Sequence, residues 1–227
     1  GSVQHMSLTP LPEFDIPSPE ELARILPQLD VQRFVARGGM GAVYYAVQRH
    51  LERQVALKIL PYDIGELNFR SRFSLEAKAM ARLNHPNLAQ LYDFGETSGL
   101  LWMALEWIDG PTLYSRFQSG PLTEEEAVAL VCQVCDGLTY AHRHGIVHRD
   151  VKPENIMWNS EGVVKLMDFG LARATQGGPD HLRGQDEERF LTPEYAPPEM
   201  LDLSVEIDHR ADIFALGVLA YEGLTGT

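Results

Sequence analysis

Asp150, Lys152 and Asn155 stand within one stretch, GIVHRDVKPENIMW (residues 145 to 158), and Asp168 follows in VVKLMDFG. The carboxylate of Asp150 can orient a hydroxyl and accept its proton. The amide oxygen of Asn155 and the carboxylate of Asp168 are hard oxygen donors, few enough to hold Mg2+ while leaving room for substrate oxygens. Taken singly, each is an ordinary loop acid or amide. Their grouping is what points to chemistry.

For the group to act, the chain must fold back on itself. Ile156 to Trp158 and Val163 to Leu166 are short apolar runs separated by Asn159-Ser160-Glu161-Gly162, a polar turn ending in Gly, which predicts a β-hairpin. Such a hairpin sets Asn155 opposite Leu166, and the alternation of strand side chains then turns Asp168 to the same face. Asn155 and Asp168 are thus expected to converge at the hairpin's open end.

Two further groups lie upstream. Ala36-Arg37-Gly38-Gly39-Met40-Gly41-Ala42-Val43 places three glycines between two strand-like runs, a flap whose backbone N–H groups can approach phosphate oxygens. No Gly-Lys-Ser/Thr follows, as a P-loop requires, and the turn leads into a strand instead of the helix of a dinucleotide fold. Lys58 lies in the strand VALKIL. Glu76 lies on a helix, within the apolar stripe Phe73, Ala77, Met80 and Leu83, and an inward-facing carboxylate needs a cation. Arg72, one turn back, is one candidate. The stripe, which turns Glu76 toward the sheet, favours Lys58.

The elements that carry these residues can be read from pattern. Ser18-Pro19-Glu20-Glu21 is a helix start leading into ELARILPQL. Strands are predicted in VQRFVA, AVYYAVQ, QVALKIL, LAQLYDF and LLWMALEWI, with a helix over 69 to 83. Gly110-Pro111 then punctuates the chain, and the remainder is mainly helical. The opening GSVQHM reads as an expression scar.

The 227 residues are 44% apolar, enough for a substantial core, and carry a formal net charge of −13, which argues against a nucleic-acid partner. No apolar run has the ~18 residues that span a bilayer. Cys132 and Cys135, followed by His142 and His144, have zinc-like spacing. The helical stripe at 127, 130, 131, 134, 138 and 141 favours thiols in or beside a core face instead. So few cysteines fit a reducing cytoplasm.

The chain resembles the bacterial eukaryotic-like Ser/Thr protein kinases, through GGMGAVY, VALK, the helical EA, HRDVKPEN, DFG and LTPEYAPPE in order, from about residue 31 to the C-terminus. The resemblance implies an α+β, bilobal fold. After a lead-in over 1–30 come an N-lobe over 31–108, with an antiparallel sheet and one key helix, and over 109–227 a helical C-lobe lacking its last helices. It implies ATP and Mg2+ as cofactors and a protein Ser/Thr hydroxyl as acceptor. By position, Ala36, Gly38, Gly39 and Gly41 form the flap over ATP, and Lys58 holds its phosphates, fixed by Glu76. Asp150 is the catalytic base, Lys152 attends the γ-phosphate, and Asn155 and Asp168 hold the metal. Glu106 to Ile108 are the hinge that meets adenine, Leu105 is the gatekeeper, and Val43, Ala56 and Met157 sandwich the base. Asp212 anchors the catalytic loop.

Departures are Ala36 for the first flap glycine, Pro197-Pro198-Glu199 for the usual Ala-Pro-Glu, and Leu191 before Thr192. None touches a metal or phosphate ligand. Arg149 before Asp150 implies control through the activation segment. Thr192 resembles the residue that contacts the catalytic loop. Either Thr175 is phosphorylated, or Asp186, Glu187 and Glu188 supply the negative charge to Arg149. The sequence ends just after IFALGVLAYEGL, whose apolar face the family covers with further helices; exposed, that face is expected to drive homodimer formation. An incomplete C-lobe also leaves open a catalytically silent nucleotide-binding or scaffolding module. Relatives carry a membrane span downstream, so the cytoplasmic assignment concerns the kinase portion.

Overall fold

Alternating apolar and polar side chains make a sheet of the first part of the chain. In the computed structural model, which describes residues 16–38, 41–60, 69–169, 194–197 and 208–226, five antiparallel strands run in the order β1-β2-β3-β5-β4. They are β1 (Leu29–Gly38), β2 (Gly41–Gln48), β3 (Arg53–Leu60), β4 (Leu91–Thr97) and β5 (Leu100–Glu106). Because side chains alternate between faces, the sheet feeds two cores. On its outer face Ala42, Tyr44, Ala46, Leu57, Ile59 and Trp102 pack with Leu22 of α1 (Pro19–Ile25). The Tyr44 hydroxyl donates to the Pro17 carbonyl at 2.6 Å, and burial pushes its pKa up to about 12. Ser18 caps α1 in both directions: its Oγ accepts from Glu21 N, and the Glu21 carboxylate accepts from Ser18 N. This is the arrangement that Ser-Pro-Glu-Glu predicts.

On the inner face, Leu60, Leu101, Met103 and Leu105 meet Phe73, Ala77 and Met80 of α2 (Phe69–Met80), and this core continues into the second lobe. There α3 (Leu113–Phe117) and α4 (Glu124–Arg143) precede a 3-10 turn, Pro153–Asn155. A hairpin comes next, β6 (Ile156–Trp158) with β7 (Val164–Leu166), and α5 (Arg210–Thr225) comes last. The predicted stripe of α4 is buried at Ala127, Leu130, Val134, Leu138 and Ala141, with Val131 half-buried. Cys135 packs half-buried against that core and Cys132 is exposed. Along α5, Ala211, Asp212, Ala215, Leu216 and Leu219 face inward while Ile213, Phe214, Tyr221 and Leu224 are exposed. No helix among the described residues is long and apolar enough to cross a membrane.

Two expectations are corrected. The strand predicted from 88 begins at 91, because Leu88 and Ala89 are engaged elsewhere: Leu88 bridges Leu166, and Ala89 N donates to the Leu166 carbonyl at 2.8 Å. The hairpin register is shifted by one residue. Ile156, not Asn155, lies opposite Leu166, while Asn155 offers its carbonyl to Met167 N at 2.8 Å. The turn is one residue longer than the sequence suggests, since Asn159 Oδ1 accepts from both Glu161 N and Val163 N. Val163 is thereby drawn into the turn, and the alternation argument for Asn155 and Asp168 fails.

Gly41 opens β2 with φ +132, and a Cβ there would lie 2.0 Å from the Ile59 carbonyl oxygen. Both the backbone conformation and the contact with β3 exclude a side chain. Gly41→Ala is therefore expected to destabilise the fold by more than ~1 kcal/mol. An unchanged thermal midpoint would contradict this account of the flap's base.

Candidate active site

The roof of the site is set by sheet register. Lys58 on β3 stands opposite Val43 on β2 and Met103 on β5, and Ala56, two residues back on the same face, stands opposite Leu105. Ala36 pairs with Val43 and Gly38 with Gly41, so the flap's two stems close as a hairpin. Gly39 lies outside the described residues, as do Thr175, Thr192 and Glu199.

The floor is the loop from His148 to Asn155. Asp212, on α5 and 1% exposed, accepts from His148 N at 2.8 Å and Arg149 N at 2.7 Å, and lies 2.7 Å from His142 Nε2. Arg149 adopts a left-handed backbone, φ +69, which turns the chain just after the second of these N–H groups and so directs it into Asp150. Buried His148 accepts from Asp150 N at its Nδ1 (3.2 Å), which places its proton on Nε2, donated to the Met167 carbonyl at 2.8 Å. The loop is thereby fastened to the strand that leads to Asp168. Asp150 is then held from the other side: Asn155 Nδ2 donates to its carbonyl (2.8 Å) and to Oδ2 (2.9 Å), and Lys152 Nζ lies 3.2 Å from Oδ2.

Roof and floor meet in one ion pair. Lys58 Nζ donates to Asp168 Oδ1 at 2.8 Å. Asp168 is itself left-handed, φ +60, a conformation Asp tolerates better than most residues. Burial pushes its carboxyl pKa up, but Lys58, by charge and hydrogen bond, and the charge of Lys152 outweigh this and hold it below the usual range. The expected pairing of Lys58 with Glu76 is thereby corrected. Two carboxylates compete for one cation, and the turned backbone of Asp168 brings its oxygen to Lys58; Glu76 stays half-buried on α2.

The donor set fits a small hard cation. Asn155 spends its amide nitrogen on Asp150, which leaves Oδ1 to accept nothing among the described residues, and Asp168 is kept anionic. Ile108, two residues after the end of β5, is buried. Met157 lies on β6, bridged to Thr112.

A five-stranded sheet joined to a helical lobe, with Lys58 on β3 paired to Asp168 beside the loop that carries Asp150, Lys152 and Asn155, makes a protein-kinase-like fold. The chain belongs to the protein kinase domain family, whose model matches residues 29–227. It is 40% identical over 208 residues to serine/threonine-protein kinase pkn3 of Myxococcus xanthus, covering 86% of this chain and 37% of that protein. It is 38% identical over 195 residues to serine/threonine-protein kinase PknB of Mycobacterium tuberculosis, covering 83% and 31%. The chain thus spans roughly a third of these relatives' length. The PknI kinase domain of Mycobacterium tuberculosis superposes with TM-score 0.72 at 31% identity, covering 88% of this chain and 75% of that one.

Sequence reasoning passed over several positioning residues. The two-ended role of His148 was visible only as the letter before Arg149-Asp150. Asn87 and Gln133 gave no signal. Asn87 Nδ2 donates to Gln133 Oε1 and the Val164 carbonyl, both at 2.9 Å, and Val164 N donates to that same Gln133 oxygen. The pair locks β7 to α4.

The depressed Asp168 carboxyl has a signed consequence. Its contribution to stability is fully present above the ordinary carboxylate value, about 3.9, and is lost as pH falls through the lower folded value. The stability difference between the unsubstituted chain and Asp168→Asn is therefore expected to be flat from pH 7 to about 4 and to shrink below that. A difference constant down to pH 2 in denaturant titrations would refute it.

Proposed function

We propose that this chain transfers the γ-phosphoryl group of Mg-ATP to Ser or Thr hydroxyls of a protein substrate. The observation that carries the reading is the restraint on Asp150, fixed by His148, Asn155 and Lys152 on the loop that faces the Lys58–Asp168 pair. A restrained carboxylate beside an ammonium group suits a step that is mostly positioning and charge stabilisation.

Asp150 accepts the proton of the acceptor hydroxyl as that oxygen attacks, and Lys152 neutralises charge on the transferring group. Asn155 and Asp168 hold Mg2+, which when bound draws off charge from the nucleotide's terminal phosphates. Lys58 binds the α/β-phosphates. Leu105 and the linker backbone at Glu106 and Ile108 receive adenine between Val43, Ala56 and Met157. Lys152 two residues after Asp150 supports a Ser/Thr acceptor, as do the names of the relatives.

With radiolabelled ATP, Mg2+ and a basic protein acceptor, the chain is expected to transfer label, and Asp150→Asn to reduce transfer about 10²–10⁴-fold. Nucleotide binding with no transfer by the unsubstituted chain would favour the silent module.

A further inference from the structure

The linker between the lobes is sewn to the β6–β7 hairpin along its length. Asp109 offers its carbonyl to Ser160 N and Pro111 to Trp158 N, both at 3.0 Å, and Thr112 bridges Met157. A Cβ on Gly110 would lie 2.1 Å from the Trp158 carbonyl oxygen, so the two backbones are in direct contact. At the linker's start the fastening changes from backbone to charge. Lys165 on β7 reaches Glu106 at the end of β5, with Nζ 2.7 Å from Oε1 and 2.9 Å from Oε2. Glu106 also joins the approach to β4: its Oε2 accepts from Gln90 N at 3.2 Å, and its own N–H donates to the Gln90 carbonyl at 2.8 Å.

A lone surface ion pair contributes little. This one is different in kind: the lysine touches both carboxylate oxygens, the side chains are only 14% and 23% exposed, and a backbone N–H shares the carboxylate. It also ties together three segments: the last residue of β5, the entry to β4, and the hairpin that separates Asn155 from Asp168.

We propose that Lys165 is a positioning residue for the nucleotide, holding the Glu106 end of the linker against the hairpin so that its backbone meets adenine at a fixed distance from the metal-binding side chains. This rests on the nucleotide-site reading above. Lys165 touches neither substrate nor cation in that reading; it acts through Glu106. Loosening it frees the linker without altering Asp150, so affinity for nucleotide falls while the transfer step is spared.

The test is a double-mutant cycle on the 227-residue chain, read by equilibrium binding of a fluorescent ATP analogue with Mg2+ and by transfer rate at saturating ATP. Lys165→Met and Glu106→Gln are each expected to weaken nucleotide binding about fivefold, and the double variant by no more than either alone, because one interaction is removed. Lys165→Arg is expected to restore affinity to within about twofold, and transfer at saturation to stay within about twofold for Lys165→Met and Lys165→Arg. Fully additive losses, as general damage to the fold would give, would overturn the proposal. So would unchanged affinity in both single variants, or a loss confined to the saturated rate. Binding that follows the cycle without any transfer would instead count against the kinase reading and leave this one standing; no nucleotide binding by the unsubstituted chain would overturn both.

Discussion

The carboxylate of Asp212 is the constraint on which the site depends. It is buried on α5, and both oxygens are occupied: Oδ1 by Arg149 N, Oδ2 by His148 N and His142 Nε2. Taking an ionised carboxylate out of water costs several kcal/mol, and short bonds to backbone N–H groups are what offset it. The torsions between these two N–H groups belong to His148, and Arg149, with its left-handed backbone, then turns the chain onward to Asp150. Such strain, of order 1–3 kcal/mol, persists only where the surroundings over-determine it. Here Asp212 holds the turn, and the turn sets where Asp150 points.

From that anchor the constraint passes along a chain of satisfied polar groups. His148 is bonded at both ring nitrogens, to Asp150 N and to the Met167 carbonyl, so the loop and the strand that leads to Asp168 move as one piece. Phe169 packs edge-on against the same ring, 4.4 Å between centroids. Beyond it, Asn87 and Gln133 bind β7 from the side of the sheet lobe and of α4. The hairpin is short, but its contacts come from α4, from the linker and from the segment before β4. It can therefore hold Asn155 and Asp168 in place although its strands contribute few residues of their own.

What was legible in the sequence is what local pattern dictates. Strand alternation located β1, β2, β3 and β5, the capping box located α1, and the stripe of α4 was read correctly because 3.6-residue periodicity survives wherever one helix face is buried. The site residues were legible as an ordered set of motifs. What escaped was decided by geometry between segments. A turn held by Asn159 shifted the hairpin register by one residue, and period-two alternation magnifies such a slip into the wrong face. Glu76 had two candidate cations, Arg72 and Lys58, and no sequence pattern reports that Asp168 is left-handed and reaches Lys58. The seam from Glu106 to Thr112 joins residues far apart in the chain largely through backbone atoms, which carry no sequence signal at all.

The two lobes are thus tied in two chemically different ways. Along the linker and at Leu166 the ties are mainly N–H to carbonyl, and separating them would strand buried backbone groups, which folded proteins rarely permit. Across the cleft, Lys58 and Asp168 pair through side chains alone, and either can take another partner without disturbing the backbone. Relative motion of the lobes therefore has a fixed edge at the linker and a releasable one at the Lys58–Asp168 pair. The Lys58–Asp168 contact can be exchanged while Asp150, Asn155 and the hairpin stay joined to one another by their own hydrogen bonds.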